Sequence, residues 1–286
     1  MLFKPDTPLL EFAGECIITM SNETGSSAAA VTLPIAMMIA GPIALSCYIV
    51  IELNVSIFNT FNGRRGLYFW SMLITSWGIV VYATAVFVRY FALAPNLYMC
   101  LQTVIGWYAM VTGQVVVLYC RLHLVVNDTR QIRWVFIMIT INFFILYVPT
   151  TILFLANNLG QRRYINEFSC YENIQLIGFT LQECIISFVY VRETVQGLKP
   201  VLAVKGPEAR KYMAYGIVVN VLAVLLDISL CAIESAGHFD IQTTYKPLVY
   251  GIKLKMEIYV INSLLGISQQ VNCICISDVQ IQEVHT

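Results

Sequence analysis

The sequence predicts an all-α polytopic membrane protein, a bundle of seven transmembrane helices with its N-terminus outside. Three observations lead there. Of the 286 residues, 58% are hydrophobic and 12% charged, and the mean hydropathy is +0.72, where an average soluble domain has roughly 25% charged residues. Seven apolar stretches are long enough to cross a hydrocarbon layer of about 30 Å, which takes roughly 17 to 25 residues of helix. The basic residues divide unequally between alternate connections, as they do when positive loops stay in the cytosol.

The seven stretches are 27–51, 66–91, 97–126, 134–158, 173–195, 212–235 and 245–268. Pro34 and Pro42 lie in the first, Pro149 in the fourth and Pro247 at the start of the seventh. A proline offers no backbone N–H and crowds the preceding turn, so each should kink or cap its helix. Gly106 and Gly113 in the third mark a face where a neighbouring helix can approach closely. The connections are short, which gives one transmembrane domain, residues 27–268, between an extracellular segment, 1–26, and a cytoplasmic tail, 269–286. The opening MLFKPDTPLLEFAGE has acids and prolines where a signal peptide needs an apolar core, so membrane entry is expected to rely on the first spanning segment.

Orientation follows from charge. The odd connections and their flanks hold Arg64, Arg65, Arg121, Arg130, Arg133, Arg192, Lys199, Lys205, Arg210 and Lys211, ten basic residues. The N-terminus and the even connections hold five, Lys4, Arg89, Arg162, Arg163 and Lys246. This bias places the N-terminus outside and the tail in the cytosol, with the plasma membrane as the expected location. Asn22-Glu-Thr24 then forms a glycosylation sequon on the outer side. Cys100 and Cys170 also fall outside, where a disulfide between them is permitted and expected, with Cys16 as a competitor and two thiols as the alternative. Cys47, Cys120, Cys184 and Cys231 read as small packing residues. Cys273 and Cys275, after the last helix, are candidate palmitoylation positions.

The net charge is zero and no basic run occurs, so nucleic acid is not an expected partner and membrane lipid is. No cysteine or histidine spacing makes a metal site, and no cofactor motif is present. His123 and His238 sit at helix ends and His285 beside the C-terminus, so no catalytic residue is assigned.

The charges that remain lie where hydrocarbon should be. Lys246, Tyr250, Lys253 and Glu257 share one stripe of the seventh helix, with Lys255 on its opposite side. An ionised group near the bilayer centre costs roughly 2.5 to 3.5 kcal/mol on insertion scales, so such groups turn inward and pair. The sixth helix aligns Asn220, Asp227 and Glu234 at a spacing of seven. Counted from the connection between these two antiparallel helices, Glu234 meets Lys246 at the outer rim and Asp227 meets Lys253 deeper. Glu257, one turn beyond Lys253, is expected to share its ammonium. The fifth helix adds Glu183, Ser187 and Tyr190, with Gln182 beside them, and the third aligns Trp107, Gln114 and Arg121. Near the midplane Glu183, Asp227 and Glu257 outnumber Lys253 and Lys255 by one, which leaves a carboxyl to take a proton or a cationic ligand. The alternative is that these groups only staple helices together.

Three stretches, LYCRLHLVV at 118–126, ENIQLIGFTLQECIIS at 172–187 and YKPLVYGIKLKMEIYVINSL at 245–264, resemble a group of uncharacterised fungal seven-helix membrane proteins. The resemblance implies a fungal source and a fold, and no substrate. More loosely, the topology, the placement of Cys100 and Cys170, and Arg121 at the inner end of the third helix look like a G-protein-coupled receptor. The departures are that Tyr119 and Cys120 precede Arg121 where that family has an acid first, the sixth helix lacks proline, and the seventh lacks Asn-Pro-x-x-Tyr. The first expectation for function is a receptor or sensor with a buried polar site between helices five, six and seven, a small-molecule ligand and a cytoplasmic signalling partner. An opsin would use Lys253 as a Schiff-base lysine with Asp227 as counterion. A proton- or ion-coupled transporter would use the carboxyls as a relay, although no inverted repeat is visible. An enzyme similar to the integral membrane terpene cyclases would use Glu183 or Asp227 as a general acid. A purely structural role is the remaining reading.

Overall fold

The computed structural model describes residues 33–60, 66–91, 95–126, 128–158, 165–205, 207–236 and 241–262. All of these are helical apart from short flanks. Helix α1 is Leu33–Thr60, α2 Leu67–Tyr90 and α3 Asn96–Val125. Helix α4 comprises Thr129–Asn142, a π-helical turn Phe143–Tyr147 and Val148–Asn158. Helix α5 is Ile165–Lys205, α6 is Pro207–Ser235 and α7 is 241–262. Six of them, α1 to α6, are long and apolar enough to cross a membrane. The segment 1–26 with Asn22 and Cys16, and the tail with Cys273 and Cys275, lie outside the described residues.

Local physics explains where the helices exceed their sequence-predicted bounds. The first apolar stretch ends at 51, but α1 continues to Thr60 because its polar groups find partners. Asn54 donates to the Val50 carbonyl at 2.8 Å and to Ser76 Oγ of α2 at 2.9 Å, and Glu52 accepts from Lys255 of α7 at 2.6 Å. Helix α5 starts at Ile165 rather than 173 and runs to Lys205, so the expected fifth connection of some fifteen residues is helical up to Lys205 and again from Pro207. The 41 residues of α5 make a rod of about 60 Å at 1.5 Å per residue, twice the hydrocarbon thickness.

Pro149 does disturb α4. It has no N–H to give the carbonyl of Ile145, and the turn before it loosens into the π-helical stretch. The Ile145 carbonyl instead accepts from the Tyr171 hydroxyl of α5 at 2.5 Å. Helices α2 and α3 pack antiparallel at backbone contact. A Cβ on Gly106 would sit 2.5 Å from the Tyr82 nitrogen and one on Gly78 would sit 2.7 Å from the Met110 nitrogen, so neither position accepts a side chain without the helices parting.

The outward faces carry Met37, Trp70, Ile105, Ile152, Phe188 and Val218, among other large apolar side chains. This is the arrangement of a bundle whose solvent is lipid. The core is apolar between α1, α2, α3 and α7, with Leu53, Ile57, Met72, Ile79, Met110 and Leu254 fully buried. A second apolar cluster joins α3, α4 and α5 around Leu118, Leu122, Val135 and Ile186.

A buried charge ladder beneath a cavity

Three tiers of polar side chains run down the bundle where α3, α5, α6 and α7 meet. Helix α6 supplies one member to each, Glu234, Asp227 and Asn220, and its spacing of seven separates the tiers by about 10 Å at 1.5 Å per residue. A residue every seven positions returns to nearly the same face of a helix, which is why one stripe reaches all three.

The middle tier gathers around one lysine. Lys253, 1% exposed, donates to Glu183 Oε2 at 2.6 Å and to Asp227 Oδ1. The Tyr250 ring centroid lies 5.2 Å from the same ammonium. Two carboxylates on different helices thus converge on one cation. Taking any of these charges out of water costs several kcal/mol, and the attraction repays it only while the set is complete.

The inner tier is built on Arg121, also 1% exposed. Its Nη1 donates to Glu257 Oε1 at 2.7 Å and its Nη2 to Asn220 Oδ1 at 2.6 Å. Asn220 in turn donates to the Gly216 carbonyl at 2.7 Å, and the guanidinium lies 4.3 Å from the Tyr190 ring centroid. The arginine's planar fork bridges α6 and α7 while its face stacks on α5, which a lysine would not reproduce. Glu257 therefore pairs with Arg121, and not with Lys253 as its i+4 position suggests. The reason is steric economy: Lys253 already holds two carboxylates, and Arg121 would otherwise be buried unpaired.

In the outer tier Lys246 donates to Glu172 Oε1 of α5 at 3.1 Å. The expected partner, Glu234, is buried and within electrostatic range of both, but its Oε2 has no hydrogen-bond partner among the described residues. Glu172 escapes the sequence reading because it falls just before the predicted start of the fifth helix, whereas α5 begins two turns earlier. Lys255, counted with the midplane charges, instead reaches Glu52 at the periphery, where both side chains are about a third exposed (32% and 37%). The excess of one carboxyl near the midplane persists with different members, Glu183, Asp227 and Glu257 against Lys253 and Arg121.

Above the middle tier, at the Lys246 end, a cavity opens with about 720 Å³ of space including its mouth. Tyr82, Val86 and Arg89 of α2 form one wall, and Trp107 and Thr103 of α3 another. Thr150 and Phe154 of α4, Phe168, Glu172 and Gln175 of α5, and Lys246 of α7 close it. Of the sequence-predicted site residues, Trp107 and Lys246 line this space. Glu183, Asp227, Lys253, Glu257, Tyr250 and Gln114 lie below it. The cavity is lined by α2, α3, α4, α5 and α7, while the charged cluster of Glu183, Asp227 and Lys253 lies between helices five, six and seven. Lys253, the lysine an opsin would use, is not among the residues that line the cavity. Beneath the cavity Trp107 packs on Tyr147 and Phe179 with centroids 4.9 and 6.4 Å apart. Gln114 is buried with Oε1 unpartnered among the described residues, and Gln182 accepts from Asn142 at 2.7 Å.

Cys100 and Cys170 are not joined, and no disulfide occurs among the described residues. Cys100 is fully buried on α3, while Cys170 is exposed and sits on α5 rather than in a connection. No group of three metal-ligating side chains is present among the described residues.

Fold and site together define a helical membrane protein with a ladder of charged side chains in its interior. Residues 25–278 match the family described as Domain of unknown function (DUF7703), and the chain belongs to that family. Neither the curated proteins nor the solved structures contain a significant match.

Proposed function

We propose that the protein is a seven-helix membrane receptor or sensor that holds a small molecule in the cavity and relays its presence along the charge ladder to the Arg121 end. The observation that carries this reading is the stacking of an open cavity directly on three tiers of buried charge, with Lys246 and Glu172 belonging to both. Spaces between the helices of a bundle are a common place for ligand sites. The 22 residues of α7 at 241–262 span about 33 Å, enough for a seventh crossing, since its cations and Glu257 are neutralised by partners on α1, α3, α5 and α6. With ten basic residues on the odd connections and their flanks, the N-terminus and the cavity face outward and the Arg121 end faces a cytoplasmic partner.

The test is thermal stabilisation of the purified protein across amines, peptides, retinal and isoprenoids, because only a molecule that binds the folded state raises the melting temperature. Val104 also lines the cavity, so a saturable shift that disappears when Val104→Trp fills it supports the reading, and no shift across all four classes overturns it. One observation favours a proton-coupled transporter as a second reading. Each tier contains a carboxylate oxygen without a partner among the described residues, on Glu172 and Glu234, on Asp227 and on Glu257, as a relay would need. Proton uptake by proteoliposomes that Asp227→Asn abolishes would establish it, and its absence would leave the receptor alone.

A further inference from the structure

We infer that the cavity takes an aromatic or otherwise apolar amine, bound through its ammonium to Glu172 and Gln175. The inference rests on the cavity being a ligand site, and it specifies the head group. Two observations define that group. Glu172 is 7% exposed and engages Lys246 through Oε1 only, leaving Oε2 buried with no hydrogen-bond partner among the described residues. One turn further along α5, Gln175 is 4% exposed and its Oε1 is likewise unpartnered. Both residues line the cavity one turn apart on α5, and a side-chain rotation on binding would bring the two enclosed acceptors to a ligand there. A buried acceptor left unsatisfied is costly, and a carboxylate oxygen can only accept. The complement is a donor with at least two hydrogens, and a cation meets a carboxylate better than a hydroxyl does.

The rest of the wall fixes the body. Trp107, Phe154, Phe168, Tyr82 and Val86 surround the acceptors with aromatic and aliphatic surface, and aromatic faces attract an ammonium as well as packing against a ring. Arg89 lines the same space with its guanidinium carbon 5.6 Å from the Phe154 ring centroid. A carboxylate ligand would find Arg89 there, so an anionic head is the competitor to be tested.

The experiment compares three molecules with one ring system and different heads, tryptamine, tryptophol and indole-3-propionate, by thermal shift and isothermal titration on the purified full chain. Tryptamine is expected to raise the melting temperature saturably and to bind at least tenfold more tightly than the other two. Gln175→Leu, which keeps the Lys246 to Glu172 pair, should weaken tryptamine about tenfold and leave tryptophol nearly unchanged. Glu172→Gln should weaken it further, and Gln175→Leu keeps the test valid if that variant does not fold. Preference for the propionate or the alcohol, or tryptamine binding indifferent to Gln175→Leu, overturns the amine assignment while leaving the cavity a site. If none of the three binds and Val104→Trp changes no ligand response of any class, the receptor reading fails as well.

Discussion

Lys253 shows how much can depend on one side chain. It is fully enclosed and holds Glu183 and Asp227 together, so Lys253→Met leaves two carboxylates facing each other in a medium that cannot screen them. Loss of one partner from a buried set typically costs about 3 to 5 kcal/mol, and Lys253→Met should lower thermal stability by that order. Adding Asp227→Asn removes one of the stranded charges, so the double variant should melt above Lys253→Met alone while remaining unresponsive to ligand. Equal melting temperatures for wild type and Lys253→Met would contradict the pairing. Glu52→Gln should also destabilise: its pair with Lys255 is about a third exposed, but on a face turned to lipid the stranded ammonium has no water to screen it. The same residues show what a sequence discloses. Asp227 and Lys253 were legible as partners because both recur at seven-residue spacing from one connection, and depth along two antiparallel helices can be counted. Glu257 with Arg121 was not, because Arg121 comes from a helix whose rotation and depth relative to α7 no local pattern records.

At the scale of elements, the helices that were legible are those whose ends coincide with a drop in hydropathy. Helices α2 and α3 fall within a residue of their expected bounds. The ends of α1 and α5 were misjudged because polar residues there are satisfied inside the bundle or continue as helix beyond the apolar span, and hydropathy cannot separate either case from a loop. Contacts between elements follow the glycines. Because a Cβ on Gly106 would lie 2.5 Å from backbone of Tyr82, Gly106→Ala should force α2 and α3 apart and destabilise by about 1 to 3 kcal/mol, as overpacking does. Unfolding in detergent would measure it, and an unchanged midpoint would show that the two helices can separate freely. Tyr171→Phe removes the donor that satisfies the Ile145 carbonyl below Pro149 and is expected to cost on the order of 1 kcal/mol.

For the molecule as a whole, the ladder explains how eight charged side chains, Arg121, Glu172, Glu183, Asp227, Glu234, Lys246, Lys253 and Glu257, can be buried in an apolar bundle. Charges from α1, α3, α5 and α6 neutralise those of α7, and the proposed seventh crossing rests on that neutralisation. The proposed topology follows from that crossing. A reporter fused after Thr286 should be cytosolic, and its glycosylation or external protease sensitivity in intact cells would reverse the orientation and put the cavity on the cytosolic side. The ladder is also what connects the cavity to the opposite end. Hydrogen exchange of the purified protein with and without saturating tryptamine tests that connection most directly, since exchange reports the local opening of each helix. Protection is expected around Glu172 and Lys246 and, about 20 Å away at 1.5 Å per residue, around Asn220, Arg121 and Glu257. In the Asp227→Asn, Lys253→Met double variant it should stay confined to the cavity. Protection that never reaches the Arg121 tier in the wild type, or that reaches it equally in the double variant, would contradict the account.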